Sequence, residues 1–94
     1  MRFEWDSKKA AANLKKHKVS FDEAVSVFAD PLASIFDDEN HSGAEPREII
    51  VGWSILNRVV LVCFTEREED LVRIITARPA TKREREDYEK NTNR

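Results

Sequence analysis

The chain has 94 residues, of which 40% are hydrophobic and 36% are charged, with a formal net charge of −2. This length predicts a single domain over residues 1–94, and the aliphatic content excludes a disordered chain. The slightly acidic balance does not by itself predict nucleic-acid binding. The longest apolar run, Val59 to Phe64, is far too short for a membrane span, so no membrane partner is expected.

The N-terminal residues predict a short strand followed by a helix. Residues Phe3 to Trp5 alternate apolar and polar side chains, as a strand does. The stretch from Met1 to Trp5 is too short and too charged for a signal peptide. Asp6 is a typical N-cap for a helix from Ser7 to about His17, and Trp5 precedes it as a possible hydrophobic staple. Three apolar residues are expected on the inner face of this helix: Ala10, Ala11 and Leu14.

A second helix is predicted directly after the first. Ser20 and Glu23 have the spacing of a capping box, in which each side chain accepts a hydrogen bond from a free amide of the helix start. The following apolar residues have helical spacing, and Asp30-Pro31 ends the helix because proline disfavours helical geometry in the residue before it. The apolar residues are Phe21, Ala24, Val25 and Phe28.

Alternating and continuous apolar runs predict a sheet in the rest of the chain. A short strand over Leu32 to Phe36 is followed by a polar loop from Asp37 to Glu45. Three strands then form an antiparallel meander, separated by a tight turn at Leu56-Asn57-Arg58 and a charged turn from Glu66 to Asp70. These strands are Ile49 to Ile55, Val59 to Thr65 and Leu71 to Arg78. The only cysteine, Cys63, falls in the apolar run, which predicts a buried thiol and fits a reducing cytoplasm.

The chain ends in a charged helix, which completes an α+β fold. Thr81 and Glu84 form a second capping box, and the helix is predicted to continue to roughly Lys90. The predicted order is a short strand, two helices, a three-stranded antiparallel meander and a C-terminal helix. The first two helices must cover one face of the sheet to bury their apolar stripes, which leaves the other face partly open for a site.

Several kinds of site are absent from the sequence. It has no glycine-rich phosphate loop, no Cys/His zinc spacing and no nucleophile elbow, so no cofactor is expected. A metal site around Asp37, Asp38, Glu39 and His41 is conceivable, but a run of acids in a loop is usually solvated, and no metal is predicted.

Arginines at ordered positions are the main candidates for chemistry. A guanidinium group holds a phosphate through two parallel hydrogen bonds and keeps its charge, so a cluster of arginines would suit a phosphodiester substrate. The same arginines could equally form surface salt bridges with the 18 acids of the chain, and the residues alone leave both interpretations open. Arg73 and Arg78 should point to opposite faces of their strand unless a bulge intervenes. By strand alternation, Arg78 shares a face with Val72, Ile74 and Thr76. Arg73 shares the other face with Leu71, Ile75 and Ala77.

Two further residues allow either a functional or a structural interpretation. His17 stands at a helix C-terminus, where its cation is favoured by the helix dipole, and it could act as an acid or base or only as a cap. Tyr88 lies four residues after Glu84 and could stack on a base, although packing and hydrogen bonding are the commoner use.

Taken together, four segments of the chain resemble the BrnT toxin family. They are Phe3-Glu4-Trp5-Asp6, the stretch from Asn13 to Phe21, Val27-Phe28-Ala29-Asp30-Pro31, and the stretch from Arg73 to Ala80. Asp38, His41 and Glu45-Pro46-Arg47 lie between them in the order and spacing of the family, and Glu84-Arg85 and Tyr88 follow. One position departs from the pattern, since the family commonly has glycine after the histidine, where this chain has Lys18.

The resemblance implies a RelE-like fold and a toxin of a type II toxin–antitoxin system that cleaves RNA and arrests translation. It also implies a cognate BrnA-type antitoxin, a DNA-binding protein of ribbon-helix-helix type, through which the pair would contact operator DNA and repress its own operon. The catalytic residues it suggests are Arg47, Arg67, Arg78, His17 and Glu45. The substrate-binding residues are Lys16, Arg73 and Tyr88.

The sequence therefore predicts a cytoplasmic, metal-independent endoribonuclease in which the 2′-hydroxyl of the RNA is the nucleophile. The first alternative is a non-catalytic module that binds a DNA-binding antitoxin and modulates operon repression. The second is a metal-dependent nuclease that uses the acidic loop, which a chelator would inactivate.

Overall fold

A computed structural model describes residues 1–39 and 45–92. Within them the chain forms five strands and three helices. In chain order these are β1 (Arg2–Glu4), α1 (Ser7–His17), α2 (Phe21–Val27), β2 (Ser34–Asp37), β3 (Glu48–Trp53), β4 (Val59–Glu68), β5 (Leu71–Pro79) and α3 (Lys82–Thr92). No described helix has the length and apolar character needed to cross a membrane.

The strands form one mixed sheet in the order β1-β5-β4-β3-β2. The predicted antiparallel meander of β3, β4 and β5 is confirmed, and β2 extends it antiparallel to β3. β1 pairs in parallel with the first three residues of β5, Leu71 to Arg73. The α+β fold is therefore as predicted, and β2 is left as an edge strand.

The helices cover the two faces of the sheet unequally. α1 and α2 pack on one face, where the main core joins Val19, Phe21, Ala24 and Val27 to alternate residues of the central strands, including Val60, Val62 and Ile74. α3 lies on the opposite face, where a small second cluster contains Val51, Val59, Leu61 and Tyr88. That second face, called the open face below, is covered by α3 over only part of its length.

Two of the three predicted helix starts have the expected caps in full. The Asp6 carboxylate accepts hydrogen bonds from the N–H groups of Lys8 and Lys9. Thr81 and Glu84 form a complete capping box, since each side chain accepts a hydrogen bond from the backbone N–H of the other. The box at Ser20 is only half formed: Ser20 accepts from the Glu23 N–H, but the Glu23 carboxylate binds Arg58 and Ser54 instead.

The predicted inner face of α1 is correct for Ala10, which packs against the main core, and wrong for Ala11 and Leu14. Leu14 is 50% exposed and Ala11 is also exposed, whereas Asn13 is buried. The reason is that α1 lies along β5, and Asn13 forms hydrogen bonds with the backbone of Ala77. A polar side chain is buried here because it satisfies strand groups that would otherwise lack partners.

The second turn of the meander is shorter than predicted. β4 continues to Glu68, and pairs such as Glu66 with Val72 extend the ladder into the charged segment. Only Glu69 and Asp70 remain between the strands, and Asp70 has the positive φ (69°) of a tight turn. Arg67 is therefore a strand residue and does not begin a turn.

A β-bulge in β5 changes which side chains share a face. Cys63 pairs with Thr76 while the next residue of β4, Phe64, pairs with Ile74, so Ile75 is an extra residue. Ala77 therefore joins Val72 and Ile74 in the main core. The sequence-based face assignment is wrong for this reason, and Arg73, Thr76 and Arg78 all share the open face.

Candidate active site

A cleft of about 310 Å³ opens between α1 and the bulge of β5. Within residues 1–39 and 45–92, every charged side chain that lines it is basic, and His17 lies among them. The lining residues are Lys9, Ala12, Asn13, Lys16, His17, Arg47, Ile75 and Thr76. A concave surface with several cations attracts a polyanion such as RNA.

Asn13 holds the wall of this cleft in place. Its side-chain NH₂ donates to the carbonyl oxygens of Val19 and Ala77, at 2.9 and 2.8 Å, and its Oδ1 accepts from the Ala77 N–H at 3.1 Å. The described pairing of β1 with β5 ends at Arg73. At Ala77, further along β5, Asn13 forms the hydrogen bonds that a neighbouring strand would otherwise form. The position of α1, and with it Lys16 and His17, is thereby fixed relative to the sheet.

The turn after His17 is held from a second direction. Lys18 adopts the left-handed conformation (φ 61°), and its N–H donates to the Leu14 carbonyl oxygen to close the helix. Arg58 donates to the Lys18 carbonyl oxygen at 2.7 Å. The position where the family pattern has glycine is therefore left-handed in this chain too, at a cost of roughly 1 kcal/mol for a residue with a Cβ.

Glu23 in turn holds Arg58. Its carboxylate is buried and accepts hydrogen bonds from Arg58 Nη2 at 2.6 Å, Arg58 Nε at 2.8 Å and the Ser54 hydroxyl at 2.7 Å. The hydrogen bonds from Arg58 lower the pKa of Glu23 despite its burial. The ion pair thus links α2, the β3–β4 turn and the α1–α2 turn beside the cleft.

Arg47 carries the distinctive feature of the cleft. Its Nε is buried and has no hydrogen-bond partner among the described residues. A buried donor without an acceptor costs about 1–3 kcal/mol. Asp38 donates its backbone N–H to the Arg47 carbonyl oxygen, so the backbone of Arg47 is fixed by the β2–β3 ladder.

Cys63 lies next to this group but is not a nucleophile. Burial raises the pKa of its thiol, and the nearby charge of Asp38 raises it further, while Arg47 opposes both effects. A thiol with a raised pKa has little of the reactive thiolate form. The prediction that Cys63 is a buried small hydrophobe is confirmed by its 8% exposure.

The other predicted arginines are each bound to a carboxylate. Arg67 pairs with Glu45 at 3.3 Å, Arg73 with Glu4 at 2.8 Å, and Arg78 with both oxygens of Glu84 at 2.8 and 2.9 Å. The hydrogen bonds from Arg78 hold the pKa of Glu84 at about 2.

The three arginines expected to converge on one phosphodiester do not do so. Arg78 on β5 pairs with Leu61 on β4, and Arg67 lies six residues after Leu61 on β4. At about 3.3 Å per residue, their backbones are roughly 20 Å apart along β4. Arg47 is the member of the set that shares a cleft with Lys16 and His17.

Tyr88 is used structurally. It is 4% exposed, and its hydroxyl donates to Asp30 Oδ2 at 2.5 Å, which ties α3 to the end of α2. Burial, and then this hydrogen bond, raise the pKa of Tyr88 to about 12. The predicted stacking of Tyr88 on a base is not supported by this geometry.

Sequence reasoning missed Asn13, Lys9 and Thr76 as residues of the cleft. Asn13 did carry a signal, because asparagine is a poor residue for a helix interior and often marks a specific hydrogen bond. Thr76 carried none, since its position depends on the bulge. His41 of the acidic loop lies outside the described residues; within 1–39 and 45–92, no group of three His, Cys, Asp or Glu residues could hold a metal ion.

Comparison with known proteins identifies the family. The family described as "Ribonuclease toxin, BrnT, of type II toxin-antitoxin system" matches residues 5–84. The chain belongs to the BrnT family. Membership in this family of ribonuclease toxins implies an antitoxin partner.

A solved structure supports the fold independently. The crystal structure of the Brucella abortus ribonuclease toxin, BrnT, is similar to this chain with a TM-score of 0.67 and 21% identity, over 87% of this chain and 99% of that one. This similarity shows the BrnT fold, while the RelE-like character stays a prediction. No curated protein matches the chain.

Proposed function

We propose that this chain is a metal-independent endoribonuclease of a cytoplasmic toxin–antitoxin pair, and that the cleft of Arg47, Lys16 and His17 is its active site. The observation that carries this proposal is made in the part of the chain that the structure describes: Arg47 Nε is buried without a partner, in a cleft whose charged lining residues are basic. Translation arrest would follow from RNA cleavage.

The proposed chemistry uses the nucleophile that RNA itself supplies. The 2′-hydroxyl oxygen attacks the adjacent phosphorus and loses its proton to water, while the bond from phosphorus to the 5′-oxygen breaks. His17 donates a proton to that leaving oxygen and is then reprotonated by water. The products are a 2′,3′-cyclic phosphate and a free 5′-hydroxyl, so atoms and charges balance without a metal.

Arg47 and Lys16 would stabilise the charge that develops on the phosphoryl oxygens. A preorganised donor of this kind contributes about 3 kcal/mol to the transition state, which corresponds to a rate factor of 10² to 10³. Lys16 supplies a second charge without fixed direction, whereas Arg47 supplies directed N–H groups. Arg73, three residues before Thr76 of the cleft on β5, would contact the RNA backbone beside the cut.

The partner we propose is a BrnA-type antitoxin of ribbon-helix-helix type, which would bring the toxin to operator DNA. The salt bridges of Arg67, Arg73 and Arg78 favour a second candidate function, in which the chain only binds this antitoxin and modulates repression. On that alternative the purified chain would not cleave RNA at all.

Cleavage of a single-stranded RNA by the purified chain in EDTA tests the proposal, with 2′-deoxy substitution of the substrate as a chemical control. We expect cleavage of the RNA in chelator and none of the deoxy substrate. Lys16→Gln and Lys15→Gln form a matched pair, because both change the same charge on the last turn of α1 but only Lys16 lines the cleft. Loss of cleavage in EDTA, or equal effects of the two substitutions, would contradict the proposal.

A further inference from the structure

The edge strand β2 borders a groove on the open face, at the opposite edge of the sheet from β1. Alternate residues Leu32, Ser34 and Phe36 form one side of it. Val51 and Leu61 form its floor, and α3 forms the other wall through Asp87, Tyr88 and Asn91. We call this surface the β2 groove; its central part has a volume of about 260 Å³.

The β2 groove combines exposed apolar side chains with an unpaired strand edge. Phe36 is 49% exposed, and Ile35, on the other face of the same strand, is 56% exposed. Among the described residues β2 pairs only with β3, so the N–H and C=O groups on its outer edge are available to another strand. An exposed apolar edge strand of this kind favours partner binding by strand addition.

The charge of the β2 groove selects the chemistry of the occupant. Among the described residues, those with charge that line it are all acidic: Glu84 and Asp87 on α3, and Asp37, Asp38 and Glu39 at the end of β2. Glu84 is neutralised by Arg78, and Asp37 and Asp87 give the groove an acidic rim. Such a rim repels RNA, and a second copy of the chain would bring two acidic grooves together.

We infer that the β2 groove binds an extended, basic and apolar segment of the antitoxin, which adds to the sheet as a sixth strand beside β2. Apolar side chains of the segment cover Phe36 on one face and Ile35 on the other, and its Lys or Arg residues pair with Asp37 and Asp87. The inference rests on the proposed function for its partner, but it uses a surface separate from the cleft that contains Arg47. The same chain can therefore carry its RNA cleft and its antitoxin surface on distinct residues.

Binding of the full-length antitoxin from the same operon, measured by titration calorimetry with the full toxin chain, tests this inference. We expect Asp87→Lys and Phe36→Ser each to raise Kd by about tenfold or more. Glu69→Lys makes the same charge change as Asp87→Lys, at the exposed β4–β5 turn, and should leave Kd within about twofold. Hydrogen exchange should slow in the complex at the amides of residues 34–37.

The outcomes separate this inference from the proposed function. Kd values within about twofold of wild type for both groove variants, or no added protection of residues 34–37, would overturn it, as would dimerisation of the toxin alone through these residues. RNA cleavage by the free variants is measured in parallel and should equal that of the wild type. If the free chain cleaves no RNA but Asp87→Lys still loses the antitoxin, the nuclease proposal fails and the docking surface stands.

Discussion

Replacing Glu23 and replacing Arg58 should each destabilise the protein, but by different amounts. Glu23 is 3% exposed, whereas the Arg58 side chain is 35% exposed. In Arg58→Met the buried carboxylate loses its cation, and removal of one partner from a buried pair typically costs about 3–5 kcal/mol. In Glu23→Gln the amide can still accept hydrogen bonds and Arg58 can turn to water, so we expect a cost of about 1–2 kcal/mol.

The pH dependence gives a second test of the same reasoning. In the wild type, the lowered pKa of Glu23 means that its stabilising contribution is present above its ordinary value of 4.5 and is lost as the pH falls below it. In Arg58→Met the hydrogen bond from Ser54 remains, but the larger lowering by Arg58 is lost, so burial raises the pKa of Glu23 and protonation relieves the penalty as the pH falls. The difference in unfolding free energy between the wild type and Arg58→Met should therefore be largest at neutral pH.

Urea denaturation followed by circular dichroism, at pH 7 and at pH 4, measures both effects. The double variant should cost less than the sum of the two single variants, because each substitution removes the same interaction. If Glu23→Gln proves as destabilising as Arg58→Met at pH 7, or if the Arg58→Met difference does not shrink at pH 4, the explanation from a buried, compensated charge is refuted.

Three smaller substitutions test other parts of the structure. Lys18→Gly should raise the free energy of unfolding by about 1 kcal/mol, because glycine adopts the left-handed conformation without strain; a loss of stability in urea denaturation would count against this. Glu84→Gln should cost about 1 kcal/mol at pH 7 after solvent screening, and the difference should vanish as the pH falls from 4.5 to about 2; a difference that grows with acidity would contradict the assignment. Asn13→Leu should cost about 2–3 kcal/mol and speed hydrogen exchange of the Ala77 amide, whereas unchanged exchange would mean that Asn13 does not hold β5.

Much of the fold could be predicted because local signals in the chain agree with the tertiary structure. Asp6, Ser20 and Thr81 each mark a helix start, and the apolar runs of the meander match its strands. Asn57 adopts a positive φ (59°) in the predicted turn before β4.

The errors come from features that only tertiary contacts determine. Leu14 continues the apolar pattern of α1 but is exposed, because Asn13 is drawn to the backbone of β5. The bulge at Ile75 has no signal in the sequence, yet it decides that Arg78 faces away from the main core.

The candidate site was predicted only in part for the same reason. Lys16, His17 and Arg47 were named by resemblance, and the structure brings them into one cleft. Composition could not distinguish Arg47, with its buried and unpartnered Nε, from Arg78, which is bound to Glu84. That distinction depends on which carboxylates the fold places within reach.

The central claim is that RNA is cut in the cleft of Arg47 and not around Arg78. The most direct measurement is the single-turnover rate of RNA cleavage in EDTA for Arg47→Gln and Arg78→Gln, each corrected for the folded fraction. We predict that Arg47→Gln lowers this rate by a factor of about 10² to 10³, and that Arg78→Gln changes it by less than about threefold. An unchanged rate for Arg47→Gln, or an equal fall for both substitutions, would contradict this assignment of the active site.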